Sequence, residues 1–151
     1  MQLVIGFGAN LKKFKYAFVV GRFQPLHLGH EQLVTVALSK AEKVIIFLGS
    51  SQESGTKKNP YSAIERQHFF YSAFKEHINR FIFVPLPDTE SNYSWVLSII
   101  DHLDTIVGQS SLCNVCFDKD VDTTQINRLV KSLWDSTSIT VTPLHPNLSA
   151  T

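Results

Sequence analysis

The chain has 151 residues, 44% of them hydrophobic and 18% charged, as expected for one globular domain with a substantial core. Its formal net charge is +1, so no overall field attracts nucleic acid or an anionic membrane, and any anion must bind locally. No apolar run approaches the roughly 20 residues that cross a bilayer. The lysines at 12, 13 and 15 follow the first apolar patch, which reverses the order of a secretory signal. We therefore expect a cytoplasmic protein without a membrane or nucleic-acid partner.

Short apolar runs alternate with segments of helical periodicity along the chain. Strands are predicted at Tyr16–Val20, Val44–Leu48, Phe81–Val84, Leu112–Phe117 and Ile139–Thr142. Helices are predicted between them at residues 29–40, 61–77, 93–107 and 123–134. The second strand is apolar without interruption, which is typical of a parallel strand buried on both faces. The pattern predicts an α/β fold, a doubly wound parallel sheet of about five strands, in a single domain over residues 1–151.

The junction between the first strand and the first helix carries the strongest chemical signal. Arg22, His27 and His30 lie there, although the positive partial charge of a helix N-terminus disfavours cations. An anion at the junction would explain them, because the free N–H groups of a helix start bind phosphate. Gly21 and Gly29 would let a ligand approach the backbone. One histidine in such a turn is commonly structural, but two with an arginine indicate a phosphate-handling site.

The polar segment 49–60 follows the second predicted strand. It therefore lies at the carboxyl edge of the predicted sheet, where ligands bind in such folds, and it is long enough to move. Lys57 and Lys58 within it are interpreted as a solvated loop face. The alternative is that the two lysines close over bound phosphates.

The second predicted helix begins with the pattern of a capping box. Ser62 and Glu65 have the required spacing, and this structural role alone would explain both residues. The next residue, Arg66, has two possible roles. It either reaches a phosphate or pairs with an acidic side chain, and the sequence does not decide between them.

The two cysteines, Cys113 and Cys116, invite a metal or redox interpretation. A zinc site needs a second pair of ligands at suitable spacing, and the sequence offers none. Residues three apart on a strand point to opposite faces, so we expect buried structural thiols. Asp118 and Asp120 are more simply explained as a turn before the last predicted helix, so no protein metal site is predicted.

These motifs resemble those of a known enzyme family. The stretch from Gly21 to His30 resembles the signature of the His-x-Gly-His nucleotidyltransferase superfamily. Residues 49–54 and 58–66 resemble two stretches of one branch, the archaeal-type nicotinamide mononucleotide adenylyltransferases. A third segment resembles the pyridine-nucleotide pocket of that branch through Pro87, Asp88, Asn92 and Trp95.

The resemblance implies a Rossmann-like fold that transfers AMP from ATP to nicotinamide mononucleotide, giving NAD and pyrophosphate. The 5′-phosphate attacks the α-phosphorus in line, so the protein positions groups and neutralises charge without supplying a nucleophile. Mg²⁺ would be carried on the triphosphate of ATP. Catalytic roles are implied for His27, His30 and Arg22. Contacts with ATP or its phosphates are implied for Gly21, Phe23, Gln24, Gly29, Ser149 and Thr151.

The resemblance also implies a set of mononucleotide-binding residues: Ser50, Arg66, Asp88, Asn92 and Trp95. Trp95 would stack on the cationic pyridinium ring, while Asp88 and Asn92 would bond the carboxamide or orient the loop. Trp95 also has an alternative, structural role. It forms an apolar helical stripe with Ile99 and Leu103 and could therefore belong to the core. The sequence leaves open whether the nicotinamide or the nicotinic acid form is preferred.

The final residues, Pro146–Thr151, resemble the start of the family's last motif, which opens a helix and supplies an arginine to the ATP phosphates. The sequence ends before that arginine, so we expect a domain cut short within its last motif. One missing charge-stabilising donor costs about 2.7–4 kcal/mol in the transition state, so weaker turnover is expected. The segment 117–134 resembles bacterial enzymes in which this domain precedes a Nudix hydrolase, which makes a Nudix domain the candidate for a longer parent chain.

Two other functions remain open from the sequence. One is another nucleotidyltransferase of the superfamily, either a pantetheine-phosphate adenylyltransferase or a cytidylyltransferase, although Trp95 and residues 49–66 favour the pyridine nucleotide. The other is a nucleotide-binding module without catalysis, which the shortened last motif would explain. The sequence also leaves open whether the chain forms a homo-oligomer, because Tyr71 and Phe74 fit either a contact between copies or a helical core face.

Overall fold

The computed structural model describes residues 14–117 and 139–144. They form five strands: β1 (Phe14–Gly21), β2 (Ala41–Gly49), β3 (Phe81–Leu86), β4 (Leu112–Phe117) and β5 (Ile139–Leu144). Between the strands lie α1 (Leu28–Lys40), α2 (Ala63–Ala73), a 3-10 helix (Lys75–Arg80) and α3 (Asn92–Val107). Every predicted strand is present, and so are the first three predicted helices. The helix predicted at 123–134 lies outside the described residues.

The sheet has the strand order β3-β2-β1-β4-β5, and all neighbouring strands are parallel. Proline removes a ladder donor and is therefore confined to sheet edges. Pro85 lies in β3 and Pro143 in β5, the two edge strands of this order. Because all the strands are parallel, their carboxyl ends meet at one edge of the sheet, the edge to which the sequence assigns the ligand site.

Helices cover both faces of the sheet, which confirms the doubly wound fold. Alternate residues of β2 point to opposite faces, so Ile46 packs in one core with α1 and α2, and Ile45 packs in the other with α3. This two-sided burial explains why the sequence of β2 is apolar without interruption. Among the described helices, none combines the length and the hydrophobicity needed to span a bilayer.

The second helix is shorter than predicted. The helical pattern extends over residues 61–77, but α2 ends at Ala73, because Phe74 leaves the helical region with φ −130° and ψ 54°. No glycine or proline marks this break in the sequence. The ring of Phe74 packs 5.8 Å from that of Phe81, so burial of the aromatic side chain overrides the local helical preference.

Tyr71 and Phe74 both contact the aromatic residues of the sheet. The rings of Tyr71 and Phe83 have centroids 5.6 Å apart, and Phe74 also stacks on Phe70 at 6.5 Å. Phe74 belongs to the partly buried fringe of the core formed with α1 and α2. Both residues therefore contribute contacts to the helical core face.

Cys113 is fully buried in β4, and this burial raises the pKa of its thiol to about 12. A thiol with so high a pKa stays protonated and unreactive at neutral pH. The prediction of a buried structural thiol is confirmed for Cys113. The side chain of Cys116 lies outside the described residues.

Arg80 joins the 3-10 helix to the amino edge of the sheet. Its Nε donates to the carbonyl of Glu42 at 3.0 Å. Its Nη2 donates to the carbonyls of Leu38 and Ala41 at 2.6 and 2.7 Å. The guanidinium thereby satisfies carbonyl groups at the end of α1, where a cation is also favoured by the helix dipole.

Candidate functional site

A cavity of about 600 Å³ opens at the carboxyl edge of the sheet. It lies between the ends of β1 and β2, the loop after β3 and the first turn of α3. Six residues predicted from the sequence line it: Gly21, Arg22, Ser50, Asp88, Asn92 and Trp95. A crevice at the carboxyl ends of parallel strands is the usual ligand site of an open α/β sheet.

The cavity carries opposite charges on different walls. Arg22, at the end of β1, and Lys58, in the loop after β2, provide cations. Asp88 and Glu90, in the loop after β3, provide carboxylates. Such a cavity suits a ligand with an anionic group at one end and a cationic group at the other, because each end meets the opposite charge.

Arg22 is oriented by an asparagine that the sequence analysis did not select. Its Nη1 donates to the Oδ1 of Asn59 at 3.3 Å, and the Nδ2 of Asn59 donates to the Oε1 of Glu53 at 2.7 Å. Asn59 is only 2% exposed, and its backbone N–H donates to the Oγ1 of Thr56 at 2.8 Å. The predicted mobile loop is therefore internally hydrogen-bonded, and it supports the exposed Arg22.

His27 and His30 begin α1 and cap it reciprocally. The Nδ1 of His27 accepts from the backbone N–H of His30, and the Nδ1 of His30 accepts from that of His27, each at 3.3 Å. The two rings stack with centroids 3.5 Å apart, and Gly29 lies buried between the two residues. Neither histidine lines the cavity, but the ring of His30 contacts that of Phe23, the neighbour of Arg22, at 4.8 Å.

The capping bonds determine which tautomer each neutral ring adopts. A ring nitrogen that accepts from a backbone N–H carries no proton itself, so each neutral ring carries its proton on Nε2. Burial, and secondarily the proximity of His27, lowers the pKa of His30 to about 4. At neutral pH His30 is therefore an uncharged donor through Nε2–H.

Stability is expected to fall in acid because of His30. Its pKa is about 4 in the folded protein and 6.5 ordinarily, so between these values the unfolded chain binds more protons. The free energy of unfolding should therefore decrease as the pH drops from 6.5 towards 4. Urea unfolding at pH 5 and pH 7 measures the decrease, which should be smaller in His30→Asn than in the wild type. Equal decreases in the two proteins would show that protonation of His30 is not linked to unfolding.

Asp88 is held by two residues of the loop after β2. The Oγ of Ser50 donates to its Oδ1, and the Nε2 of Gln52 donates to its Oδ2, each at 2.9 Å. Ser50 is buried and has φ +48°, a left-handed conformation that costs energy for a residue other than glycine and that clusters at functional sites. Ser50 therefore supports the cavity wall by orienting Asp88.

Trp95 is half-buried and lies between the core and the cavity. It packs against the core formed with α3, and it also forms part of the cavity wall. Asn92, the first residue of α3, is exposed on the same wall. An aromatic face and an amide group thus lie together on the side of the cavity that carries the acidic residues.

The structure shows packing roles for Gly21 and Phe23 that the sequence did not predict. The ring of Phe23 fills the space beside Gly21, where an added Cβ would lie 2.8 Å from its Cζ. Phe23 itself is 1% exposed and packs edge-on against Phe70, so its side chain belongs to the core. Gly21 is thus required by the close approach of Phe23, although its backbone still lines the cavity.

Gln24 and Arg66 also make structural contacts that the sequence did not predict. Both ends of the Gln24 amide are paired with the backbone of Tyr61, at 2.9 Å to its carbonyl and 2.8 Å from its N–H. Arg66 is fully buried, and its Nη1 donates to the carbonyls of Arg22 and Gly49 at 2.7 and 2.6 Å. These backbone contacts at the strand ends are a role of Arg66 that neither alternative from the sequence included, and its contact with the mononucleotide stays a prediction.

The predicted capping box at the start of α2 is confirmed. The Oγ of Ser62 accepts from the N–H of Glu65 at 3.1 Å, and the Oε1 of Glu65 accepts from the N–H of Ser62 at 2.9 Å. Neither residue needs a ligand to explain it. Ser149 and Thr151, which were predicted to contact ATP, lie outside the described residues.

Within residues 14–117 and 139–144, no cluster of three or more histidine, cysteine, aspartate or glutamate side chains could hold a metal ion. Asp118 and Asp120 lie outside this part of the chain. Gln52 and Asn59 are the supporting residues that the sequence analysis missed. Both lie in segments that resemble the nucleotidyltransferase motifs, which was the available signal, but Asp88 lies 36 residues from Gln52 and Arg22 lies 37 residues from Asn59.

Comparison with known proteins places the chain in a family. The model of the cytidylyltransferase-like family matches residues 18–107. The chain is 33% identical over 129 residues to the nicotinamide-nucleotide adenylyltransferase of Thermoplasma volcanium, covering 82% of the chain and 72% of that relative. The enzyme of the same name from Aeropyrum pernix is 45% identical over 85 residues, 54% of the chain and 49% of that relative.

A solved structure supports the fold. The chain superimposes on a bifunctional NMN adenylyltransferase/ADP ribose pyrophosphatase from Francisella tularensis with a TM-score of 0.73 and 23% identity. The match covers 90% of this chain but 40% of that one, so the chain corresponds to less than half of the larger protein. The chain belongs to the cytidylyltransferase-like family and, within it, to the nicotinamide-nucleotide adenylyltransferases.

Proposed function

We propose that this member of the family transfers AMP from ATP to nicotinamide mononucleotide, giving NAD and pyrophosphate. The observation that carries the proposal is the charge-divided cavity, where Arg22, Asp88 and Trp95 come together. Membership of the nicotinamide-nucleotide adenylyltransferase family supports it independently. The same membership favours a pyridine nucleotide over phosphopantetheine or CTP.

Nicotinamide mononucleotide matches the charges of the cavity. It carries an anionic 5′-phosphate and a cationic pyridinium ring. Arg22 and Lys58 attract the phosphate, while Asp88 and Glu90 favour the cationic ring. Trp95 stacks on that ring, a contact to which cation–π attraction contributes.

The polar groups beside Trp95 bind the carboxamide of the mononucleotide. The carboxylate of Asp88 accepts from the amide N–H₂, and the side chain of Asn92 offers both a donor and an acceptor. Ser50 contributes through its hydrogen bond to Asp88. These contacts orient the 5′-phosphate towards the start of α1, where ATP binds.

The start of α1 binds the phosphates of ATP. His27 and His30 donate from Nε2–H, and the backbone at Gly29 contributes the anion-binding end of the helix. An oxygen of the mononucleotide phosphate attacks the α-phosphorus, the bond from the α-phosphorus to the bridging oxygen breaks, and pyrophosphate leaves. Preorganised donors stabilise the charge that develops on the transferred group and on the leaving pyrophosphate.

Mg²⁺ accompanies ATP in this proposal. A divalent ion neutralises phosphate charge and orients the triphosphate. The described residues contain no cluster of three metal-ligating side chains, so the phosphate oxygens are the donors that fit the ion best. Arg22 and the histidines then act on the phosphate oxygens that the ion leaves available.

The test is pyrophosphate release by the purified protein with ATP, Mg²⁺ and nicotinamide mononucleotide, with calorimetric titrations of the mononucleotide, phosphopantetheine and CTP in parallel. The expected result is pyrophosphate and NAD in equal amounts, with the mononucleotide bound in preference to the other two. Preference for phosphopantetheine or CTP would overturn the proposal. Binding of ATP and the mononucleotide without pyrophosphate release would identify a nucleotide-binding module.

A further inference from the structure

Four hydrogen bonds join the loop after β2 to the end of β3 and the loop that follows it. The N–H of Ser51 donates to the carbonyl of Leu86 at 3.2 Å, and the Oγ of Ser50 donates to the Oδ1 of Asp88 at 2.9 Å. The Nε2 of Gln52 donates to the Oδ2 of Asp88 at 2.9 Å, and the N–H of Asp88 donates to the Oε1 of Gln52 at 3.0 Å. Gln52 thus binds both the backbone and the side chain of Asp88.

This geometry fixes the orientation of the carboxylate. With one oxygen held by Ser50 and the other by Gln52, the carboxylate of Asp88 cannot rotate without breaking a hydrogen bond. An ionised carboxylate has about four acceptor positions and no donor, so roughly two positions remain for a ligand. Asp88 lines the cavity, whereas Gln52 does not belong to its lining and acts on the cavity only through Asp88.

We propose that Gln52 is a positioning residue that holds Asp88 as a fixed acceptor for the carboxamide of the mononucleotide, and thereby selects this amide over the corresponding carboxylate. The inference rests on the proposed function and goes beyond it by naming the source of substrate discrimination. Nicotinic acid mononucleotide has no N–H group to donate to Asp88. It also places a negative charge beside Asp88 and Glu90. A site built to accept a hydrogen bond from a substrate N–H strongly rejects an analogue that lacks this group.

Removing the amide group of Gln52 should selectively weaken the binding of nicotinamide mononucleotide, the substrate with the carboxamide. In Gln52→Met the chain length is similar, but the Oδ2 and N–H of Asp88 lose their partner and the carboxylate keeps only its bond to Ser50. We expect KM for nicotinamide mononucleotide to rise about tenfold, which corresponds to about 1.4 kcal/mol. The KM for the nicotinic acid form should change less than twofold, so the preference between the two should fall about tenfold.

The experiment measures kcat and KM for both mononucleotides and for ATP in the wild type, Gln52→Met and Gln109→Met. Gln109 provides a matched control, because it is exposed in the turn after α3, at the opposite edge of the sheet. The kcat and the KM for ATP should stay within twofold in both variants, and Gln109→Met should keep the wild-type preference. Thermal unfolding of all three proteins checks that the fold is retained.

The result that overturns the inference is an unchanged preference in Gln52→Met, or an equal loss for ATP and both mononucleotides, since a merely structural role would affect all substrates alike. Failure of the proposed function gives a different result, namely no dinucleotide from either mononucleotide in the wild type. In that case calorimetric affinities for the two mononucleotides decide the role of Gln52. A selective loss of affinity for the amide form in Gln52→Met supports the role of Gln52. Equal affinities of the wild type for the two mononucleotides contradict it.

Discussion

His30→Ala should lower kcat for NAD formation about 10²–10³-fold while the protein stays folded. Loss of one preorganised donor to a developing negative charge typically has an effect of about this size. His30 is suited to this role because its capping bond leaves the proton on Nε2 and because its lowered pKa, about 4, keeps it neutral at physiological pH. Initial rates of pyrophosphate release at saturating ATP and mononucleotide measure the effect, and KM should change much less than kcat.

The matched control for His30→Ala is Ser62→Ala. His30 also caps a helix, so its replacement removes a structural bond together with the proposed catalytic donor. Ser62→Ala removes one bond of a reciprocal capping box of the same form at the start of α2. This variant should lose about 1 kcal/mol of unfolding free energy and keep the wild-type kcat. A similar fall of kcat in both variants, or a fall below about tenfold in His30→Ala, would contradict a catalytic role for His30.

The elements of this fold could be predicted because their signals are local. The apolar run of β2 and the helical spacing in α1 depend on neighbouring residues, and both elements form where the sequence places them. The same holds for the capping box of α2, which is complete within four residues. The end of α2 could not be predicted, because it depends on the packing of Phe74 against β3 and not on a helix-breaking residue.

The supporting residues of the site could not be assigned from the sequence for the opposite reason. Gln52 lies 36 residues from Asp88, and Gln24 lies 37 residues from Tyr61. Contacts of this kind depend on which loops the parallel sheet brings to its carboxyl edge, and on their register. The motif identified Gln24 as part of the site, but only the position of Tyr61 reveals that its amide is used to join two loops.

The backbone conformation at the site could not be predicted from the sequence either. Phe23 and Ser50 have φ values of +51° and +48°, in the region that favours glycine, although neither position is a glycine. Each lies within two residues of the carboxyl end of a strand, where the chain turns sharply into a loop beside the cavity. The surrounding contacts impose these conformations: the core holds Phe23, and Asp88 holds Ser50.

Arg66→Met should lower the free energy of unfolding by about 3 kcal/mol and raise KM for both substrates. Arg66 is fully buried, and the carbonyls of Arg22 and Gly49 would lose a charged donor at the ends of β1 and β2. Each buried acceptor left unpaired costs about 1–3 kcal/mol. Arg22 and Gly49 line the cavity, so the loss should loosen the wall that the substrates contact. Urea unfolding and steady-state kinetics measure the two effects.

The variant Arg80→Met is the control that separates the positioning role of Arg66 from a general loss of stability. Arg80 also donates to three backbone carbonyls, but they lie at the amino edge of the sheet, away from the cavity. It should therefore lower stability and leave both KM values unchanged, whereas Arg66→Met should change both properties. A direct contact between Arg66 and the mononucleotide, as the sequence resemblance implies, would give another pattern, with a raised KM for the mononucleotide alone and little loss of stability. Because the guanidinium holds two strand ends at once, Arg66→Lys should restore the charge but only part of the stability.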